Sequence, residues 1–250
     1  MAKNHPIWLG LSGLVIVIAL WWILTVPFAG ETALAQRFAP GPAFGTLVQM
    51  LGQSEIWTHV LVSLRRVFIG LGIAMLVGVP MGLLLGSSAK VSATLSPAFQ
   101  FLRMISPLSW MPIAVIAFGV GDQPVYFLLA FAAVWPIMLN TMAGVHALDR
   151  RWLQLTKSLS ATRWETLRGV VLPGVLSHVL TGTRLAIGIV WIVLVPCEML
   201  GVSAGLGYFI LDTRDRLDYQ ALMATIVLIG LLGFLLDWSF RAACQQWRKA

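Results

Sequence analysis

The residue types able to do chemistry in this 250-residue chain are few and widely scattered. His5, His59, His146 and His178 fall in separate segments without metal-ligand spacing, and no G-x-x-x-x-G-K-[ST] phosphate loop is present. Cys197 lies in an apolar run and Cys244 in a basic tail, an arrangement that predicts free thiols. Glu198 and Arg184 interrupt an apolar stretch. They stand fourteen residues apart, about 21 Å along a helix, too far to pair directly. Asp237 is placed to meet Arg241 at i, i+4. The hydroxyl, amide and indole groups of Ser106, Ser109, Trp110, Asn140 and Thr141 sit in proline-rich apolar tracts, where they are available for a role beyond packing; Glu198, near the outer end of its apolar run, is expected to fix a helix partner or a gate. The competing reading is that the hydroxyls bond their own helix backbone.

The elements that carry these groups are membrane-type. Hydrophobic residues make up 58% of the chain and charged ones 11%, against about 25% charged in soluble domains; mean hydropathy is +0.86. Apolar runs predict six spans: Ile7–Phe28, Val67–Ala89, Met104–Gly121 (interrupted by Pro107 and Pro112), Gln123–Leu148, about Leu176–Leu200, and Tyr219 to about Phe240. The fold class is all-α, a polytopic transmembrane helical bundle. The first run is longer than a signal-peptide core, so Ala33-Leu-Ala35 is read as part of a retained chain and not as a cleavage site. Gly78, Gly82 and Gly86 form a ridge for close helix packing.

The formal charge is +7, which suits basic loops on the cytoplasmic face and gives no reason to expect a nucleic-acid partner. A cytoplasmic N-terminus puts Lys3, Lys90, Arg150, Arg151, Lys157, Arg163, Arg168, Arg241, Arg248 and Lys249 inside and Arg37, Arg65, Arg66, Arg214 and Arg216 outside. Arg103 and Arg184 are unassigned. Glu31, Glu55, Asp122, Asp212, Asp215 and Asp218 fall outside. Arg65 and Arg66 fit least well: either they sit at the interface, or their helix begins earlier and buries them. The tract Asp212–Tyr219 reads as a solvated loop or a surface for an external partner.

One charged insert, 149–176, lies between the fourth and fifth spans. Thr162 and Glu165 form a capping box; Trp164, Leu167 and Val171 are spaced to share a face; Pro173 is expected to end the helix. Such a helix suits lipid headgroups, its own bundle, or a groove on another protein.

The insert resembles the cytoplasmic coupling loop of bacterial ABC importer permeases, whose pattern is E-A-A, three residues, G, nine residues, I-x-L-P. Gln154-Leu-Thr156 fall on the first three positions, Ser160 on the glycine, and Val170, Leu172 and Pro173 on the I, L and P. The Glu, Ala and Gly of the pattern are replaced here. Ser63-Leu-Arg-Arg66, Gly78-Val-Pro-Met-Gly82, Pro107-Leu-Ser-Trp-Met-Pro112, Trp135-Pro-Ile-Met-Leu-Asn-Thr141 and Glu198-Met-Leu-Gly201 are similar to the nitrate/sulfonate/taurine/bicarbonate branch, with a lean towards its nitrate-like members. That branch also includes permeases for pyrimidine vitamin precursors. The resemblance implies a non-catalytic, multi-pass subunit of the bacterial inner membrane with both termini cytoplasmic. It divides the chain into a first span with its outer loop, 1–60, and a permease core, 61–250. It implies a homodimeric permease, ATP-binding subunits holding ATP and Mg, a periplasmic or lipoprotein substrate-binding protein, and a small anion as cargo. Ser160, Ala161, Thr162, Arg163, Trp164, Leu167, Leu172 and Pro173 would couple to the ATP-binding subunit, and Ser106, Ser109, Trp110, Asn140, Thr141 and Glu198 are the candidates to line the pathway that such a subunit implies. An ion-coupled secondary transporter and a membrane-embedded enzyme are the alternatives.

Overall fold

The computed structural model describes the backbone of residues 5–26 and 37–247, and the side chains of 12–26, 37–149 and 151–246. Lys3, Glu31, Ala33-Leu-Ala35, Arg248 and Lys249 lie outside the described residues. Among the described residues every regular element is helical: α1 His5–Thr25, α2 Pro40–Leu51, α3 Ser54–Ser87, α4 Ala89–Met104, a 3-10 turn Pro107–Trp110, α5 Met111–Phe118, α6 Asp122–His146, α7 Arg150–Ser158, α8 Arg163–Glu198, α9 Leu206–Asp215 and α10 Tyr219–Trp247. They group into two compact units, one holding the chain through His59 with Phe209–Leu231, the other Val60–Tyr208 with Leu232 onward.

In the first unit, α2 begins at Pro40, whose missing N–H costs nothing at a helix start. Its buried face is Pro40, Ala43, Leu47 and Met50. Trp21 of α1 donates its indole N–H to the Phe38 carbonyl at 2.9 Å and packs on Phe44 at 6.1 Å. The tract 212–219 is helical through Asp215 and pairs with itself: Arg216 holds Asp212 at 3.0 Å and Arg214 holds Asp215 at 2.9 Å.

The second unit is organised around α6. The glycine ridge of α3 lies against it: a Cβ on Gly82 would stand 2.5 Å from the Met138 carbonyl oxygen, and one on Gly86 2.5 Å from Val145 Cβ. From α8, Gly182 meets the Pro136 carbonyl in the same way, at 2.9 Å. Backbone-to-backbone approach of this kind replaces the hydrophobic driving force that lipid removes. Val67, Leu71, Ala74, Leu128, Leu129, Ile137, Val190 and Leu194 fill the core between them.

Four of the six expected spans correspond to helices long and apolar enough to cross a membrane, namely α3, α6, α8 and α10. The expected span Met104–Gly121 is corrected. It is a pair of helices, Ala89–Met104 and Pro107–Phe118, bent by 88°. Ser106 precedes Pro107 and is driven to extended backbone (φ −57°, ψ 131°), which breaks the helix, whereas Pro112 falls in the first turn of α5 and is tolerated there. Counting the bent pair as one span gives five; α1 is a further apolar helix of 21 residues. The second span starts at Ser54 and not Val67; Ser63, Arg65 and Arg66, which interrupt the apolar run, find partners on other elements.

Pro173 does not stop a helix. The chain is helical from Arg163 to Glu198, 36 residues, about 54 Å against about 30 Å of hydrocarbon. A π turn, Leu167–Val171, precedes the proline, and the Leu172 N–H reaches back five residues to the Leu167 carbonyl. This widened turn accommodates a residue that has no N–H to donate. The second part of the insert, from Arg163, is therefore an N-terminal extension of the fifth span's helix.

Candidate functional site

Two polar regions of the second unit carry the functional argument. The first is the insert. Asp149 caps α7 by accepting from the Arg151 N–H at 2.8 Å. At the other end the Ala161 N–H reaches the Thr156 carbonyl at 2.9 Å and the Ser160 N–H the Lys157 carbonyl at 3.0 Å. This is a Schellman closure, and it holds Ser160 at φ +54°. The position where the permease pattern has glycine is thus a left-handed one, which explains the glycine physically and makes Ser160 a strained substitute. Thr162 then starts α8 with the expected capping box: its hydroxyl accepts from the Glu165 N–H at 3.3 Å, and its own N–H donates to Glu165 Oε2 at 2.7 Å.

Trp164 is 65% exposed, and Trp152, Leu155 and Leu159 are exposed with it. Arg151, Lys157, Arg163 and Arg168 are also exposed. The expected common face of Trp164, Leu167 and Val171 is divided, since Leu167 and Val171 are half-buried. Leu153 and Val171 share a cavity wall with Gly86, Val145 and His146 at the ends of α3 and α6. Leu172, Pro173 and Arg168 line a second cavity with Met75, Val79 and Leu83 of α3. The insert thus has one side open and another seated on the two central helices. Ala161 lies at the join between its two helices.

The second region is a buried ionic knot. Glu198 is 0% exposed and Arg66 2%. Arg66 donates through Nη1 to Glu198 Oε1 at 2.7 Å and to the Ala204 carbonyl at 2.6 Å, and through Nε to Asp122 Oδ1 at 3.0 Å. The Ser63 hydroxyl lies 2.8 Å from both Glu198 oxygens and accepts from the Leu206 N–H at 2.9 Å. The Gly207 N–H donates to Glu198 Oε2 at 2.9 Å. Arg65, exposed beside Arg66, completes a neutral set by pairing with Asp122. The loop between α8 and α9 is fitted around the knot: Gly205 sits at φ +121°, and a Cβ there would lie 2.5 Å from Arg66 Nη1 and Glu198 Oε1. Ser63-Leu-Arg-Arg66 and Glu198-Met-Leu-Gly201 therefore meet in space. Arg66 is buried and Arg65 exposed, so each of the two readings of that pair holds for one residue.

Glu198 thus fixes three helices to one another and is fully buried. That Glu198 fixes a helix partner is as expected, but the sequence did not identify Ser63 and Arg66 as that partner, although a signal exists: they continue the buried stripe of Val60, Val67, Leu71 and Ala74 at helical spacing. Arg184, unassigned by the charge count, holds Asp237 at 3.0 Å, and Asp237 also takes its expected partner Arg241.

The remaining pathway candidates separate. Thr141 is buried under Gly82, and its hydroxyl donates to the Ile137 carbonyl at 2.7 Å; the Asn140 amide donates to the Pro136 carbonyl at 2.8 Å. Both are bonded to their own helix. Ser106 and Ser109 are exposed at the bent break. Trp110 packs on Phe131 with ring centroids 5.5 Å apart, and its buried Nε1 has no hydrogen-bond partner among the described residues.

Comparison with known proteins agrees with this architecture. The family model for binding-protein-dependent transport system inner membrane components matches residues 78–249. The bicarbonate transport system permease protein CmpB of Synechococcus elongatus is 37% identical over 79% of this chain and 70% of its own length. The taurine transport system permease protein TauC of Escherichia coli is 30% identical over 96% and 88%, and the nitrate import permease protein NrtB of Leptolyngbya laminosa 33% over 74% and 66%. An inward-facing structure of the MetNI methionine ABC transporter superposes with a TM-score of 0.64 over 78% of this chain and 96% of that one, at 18% identity, which speaks for the fold. This chain belongs to the binding-protein-dependent transport system inner membrane components and is a multi-pass, non-catalytic permease subunit of an ABC importer.

Proposed function

We propose that this permease carries a small oxyanion, handed over by an external substrate-binding protein and driven by ATP-binding subunits that dock on the insert. The open side of the insert carries the reading: Trp152, Leu155, Leu159 and Trp164 are exposed among basic residues on helices whose ends are individually capped. Exposed tryptophan ringed by arginine is the composition of an interface anchor. Its seated side gives the docked subunit a route to α3 and α6, so that closure of an ATP-bound dimer biases the bundle towards one of two states. ATP and Mg belong to that partner.

The cargo class rests on the relatives, whose names span bicarbonate, nitrate and taurine. These share a compact oxygen-bearing anionic group. The sequence lean towards nitrate-like members is not favoured over bicarbonate, since CmpB is the more identical relative. The finer arrangement we infer is a homodimer in the bacterial inner membrane with both termini cytoplasmic, residues 61–250 forming the core behind the first span and its outer loop. Glu198, Asp122 and Asp237 each hold an arginine, so none of these three is a free acid of the kind an ion-coupled carrier would use.

The test is uptake of labelled bicarbonate, nitrate, taurine and an alkylsulfonate by the full complex in proteoliposomes, with ATP inside or absent. ATP-dependent uptake of at least one is expected. Uptake of none, or uptake driven by an ion gradient without ATP, contradicts the reading.

A further inference from the structure

The segment that the sequence reading left between two spans is α4, and one face of it is polar. Ser92, Ser96, Gln100 and Arg103 follow one another at spacings of four, four and three, which places them in one row on the helix. The hydroxyls of Ser92 and Ser96 are 3.3 Å apart. No residue of α4 is buried, yet the helix lies beside α6, with Phe99 on Trp135 at 6.0 Å. The row opens on a cavity of about 160 Å³ whose wall includes Ser96, Phe99, Gln100, Arg103, Trp135 and Met142.

Arg103, like Arg151, Arg163 and Arg168 of the exposed insert, forms no ion pair among the described residues, and in this it differs from the other described arginines of the second unit. Arg65, Arg66 and Arg184 each hold an acid, as does Arg241, but Arg103 has no acidic partner among the described residues. It occupies the last turn of α4. The helix end supplies about half a negative charge there, so a full guanidinium charge leaves the cavity net positive. The chain then breaks at Ser106 and turns by 88°. A charged side chain at a broken element of a membrane protein is a functional position until a partner explains it, and here no partner does.

We propose that Ser96, Gln100 and Arg103 form a binding station for the transported oxyanion, a deduction that rests on the small-anion reading above. The guanidinium supplies the charge and a two-pronged donor for two oxygens on one centre. The Gln100 amide and the Ser96 hydroxyl are further donors in reach of the same cavity. Phe99, Trp135 and Met142 screen one side from water, which strengthens those bonds, while the exposure of Arg103 keeps the hold weak enough for release.

The experiment uses the complete complex in proteoliposomes with saturating binding protein, and measures anion uptake and binding-protein-stimulated ATP hydrolysis side by side. Arg103→Ala is expected to lower uptake at least tenfold with ATP hydrolysis within twofold of wild type; Arg103→Lys should recover part of the loss, and Gln100→Ala should lower uptake about threefold. Uptake by Arg103→Ala within twofold of wild type overturns the proposal, and so does a parallel fall in uptake and ATP hydrolysis, which marks a structural role. If Arg103→Ala does not assemble, Gln100→Ala decides: unchanged uptake overturns the station. Failure of the wild-type complex to move any of the four anions removes the small-anion reading itself, and is visible without any variant.

Discussion

The insert and the ionic knot are both polar interruptions of an apolar chain, and they are built in opposite ways. In the insert the bonds are local: Thr162 and Glu165 satisfy each other across three residues, and Trp164 stands 65% exposed. In the knot Ser63 and Arg66 reach Glu198 across more than 130 positions and Arg66 reaches Asp122 across 56, and Glu198 and Arg66 have almost no exposure. Local satisfaction frees a segment from its own bundle and leaves its large side chains available to another chain. Long-range satisfaction ties helices together where lipid offers no hydrogen-bond partner. Polarity in a membrane protein therefore indicates docking or tethering according to where the partners lie in sequence.

This contrast can be broken at either end. The largest effect is expected from Glu198→Ala, which takes one of two acids from a buried arginine and leaves Ser63 and the Gly207 N–H without their buried acceptor; breaking a buried pair costs about 3–5 kcal/mol. Thermal unfolding in detergent, or yield of folded protein, should fall sharply. Unchanged stability would show that water fills the site at no cost. Gly205→Ala comes next, because it places a Cβ on the ion pair at a left-handed φ. It should destabilise by about 2 kcal/mol or more, whereas the same change at Gly169, around which there is open space, should not. A loss at Gly169 equal to that at Gly205 would remove the knot as the cause. The smallest effect is a gain: Ser160→Gly relieves the φ of +54° and should stabilise the α7–α8 join by about 1 kcal/mol. Hydrogen exchange at the Ser160 and Ala161 amides reads this directly, and faster exchange in the variant would mean that the serine side chain helps the turn.

How much of this was legible in the sequence follows the same division. The capping box, the glycine ridge and the pairing of Asp237 with Arg241 are set by spacings of three and four and were read correctly. The knot was not, because residues 63–66, 122, 198 and 204–207 carry no mutual spacing; only the helical stripe through Val60, Ser63 and Val67 hinted that Arg66 turns inward. Pro107 and Pro173 show why local rules need tertiary context. Both were read as helix breakers. At Pro107 the preceding residue went extended and the helix broke, while at Pro173 a π turn absorbed the missing donor and the helix ran on. The row on α4 escaped because the span was placed fifteen residues too late, at Met104 instead of Ala89.

The most direct test of the central claim is Trp164→Asp in the reconstituted complex, with co-purification of the ATP-binding subunits as the readout beside thermal unfolding of the permease alone. The exposed, locally held insert predicts that the unfolding midpoint stays at the wild-type value while the ATP-binding subunits are lost and ATP-driven uptake stops. A variant that retains its ATP-binding subunits and takes up substrate at the wild-type rate would contradict the assignment of the insert as the docking element.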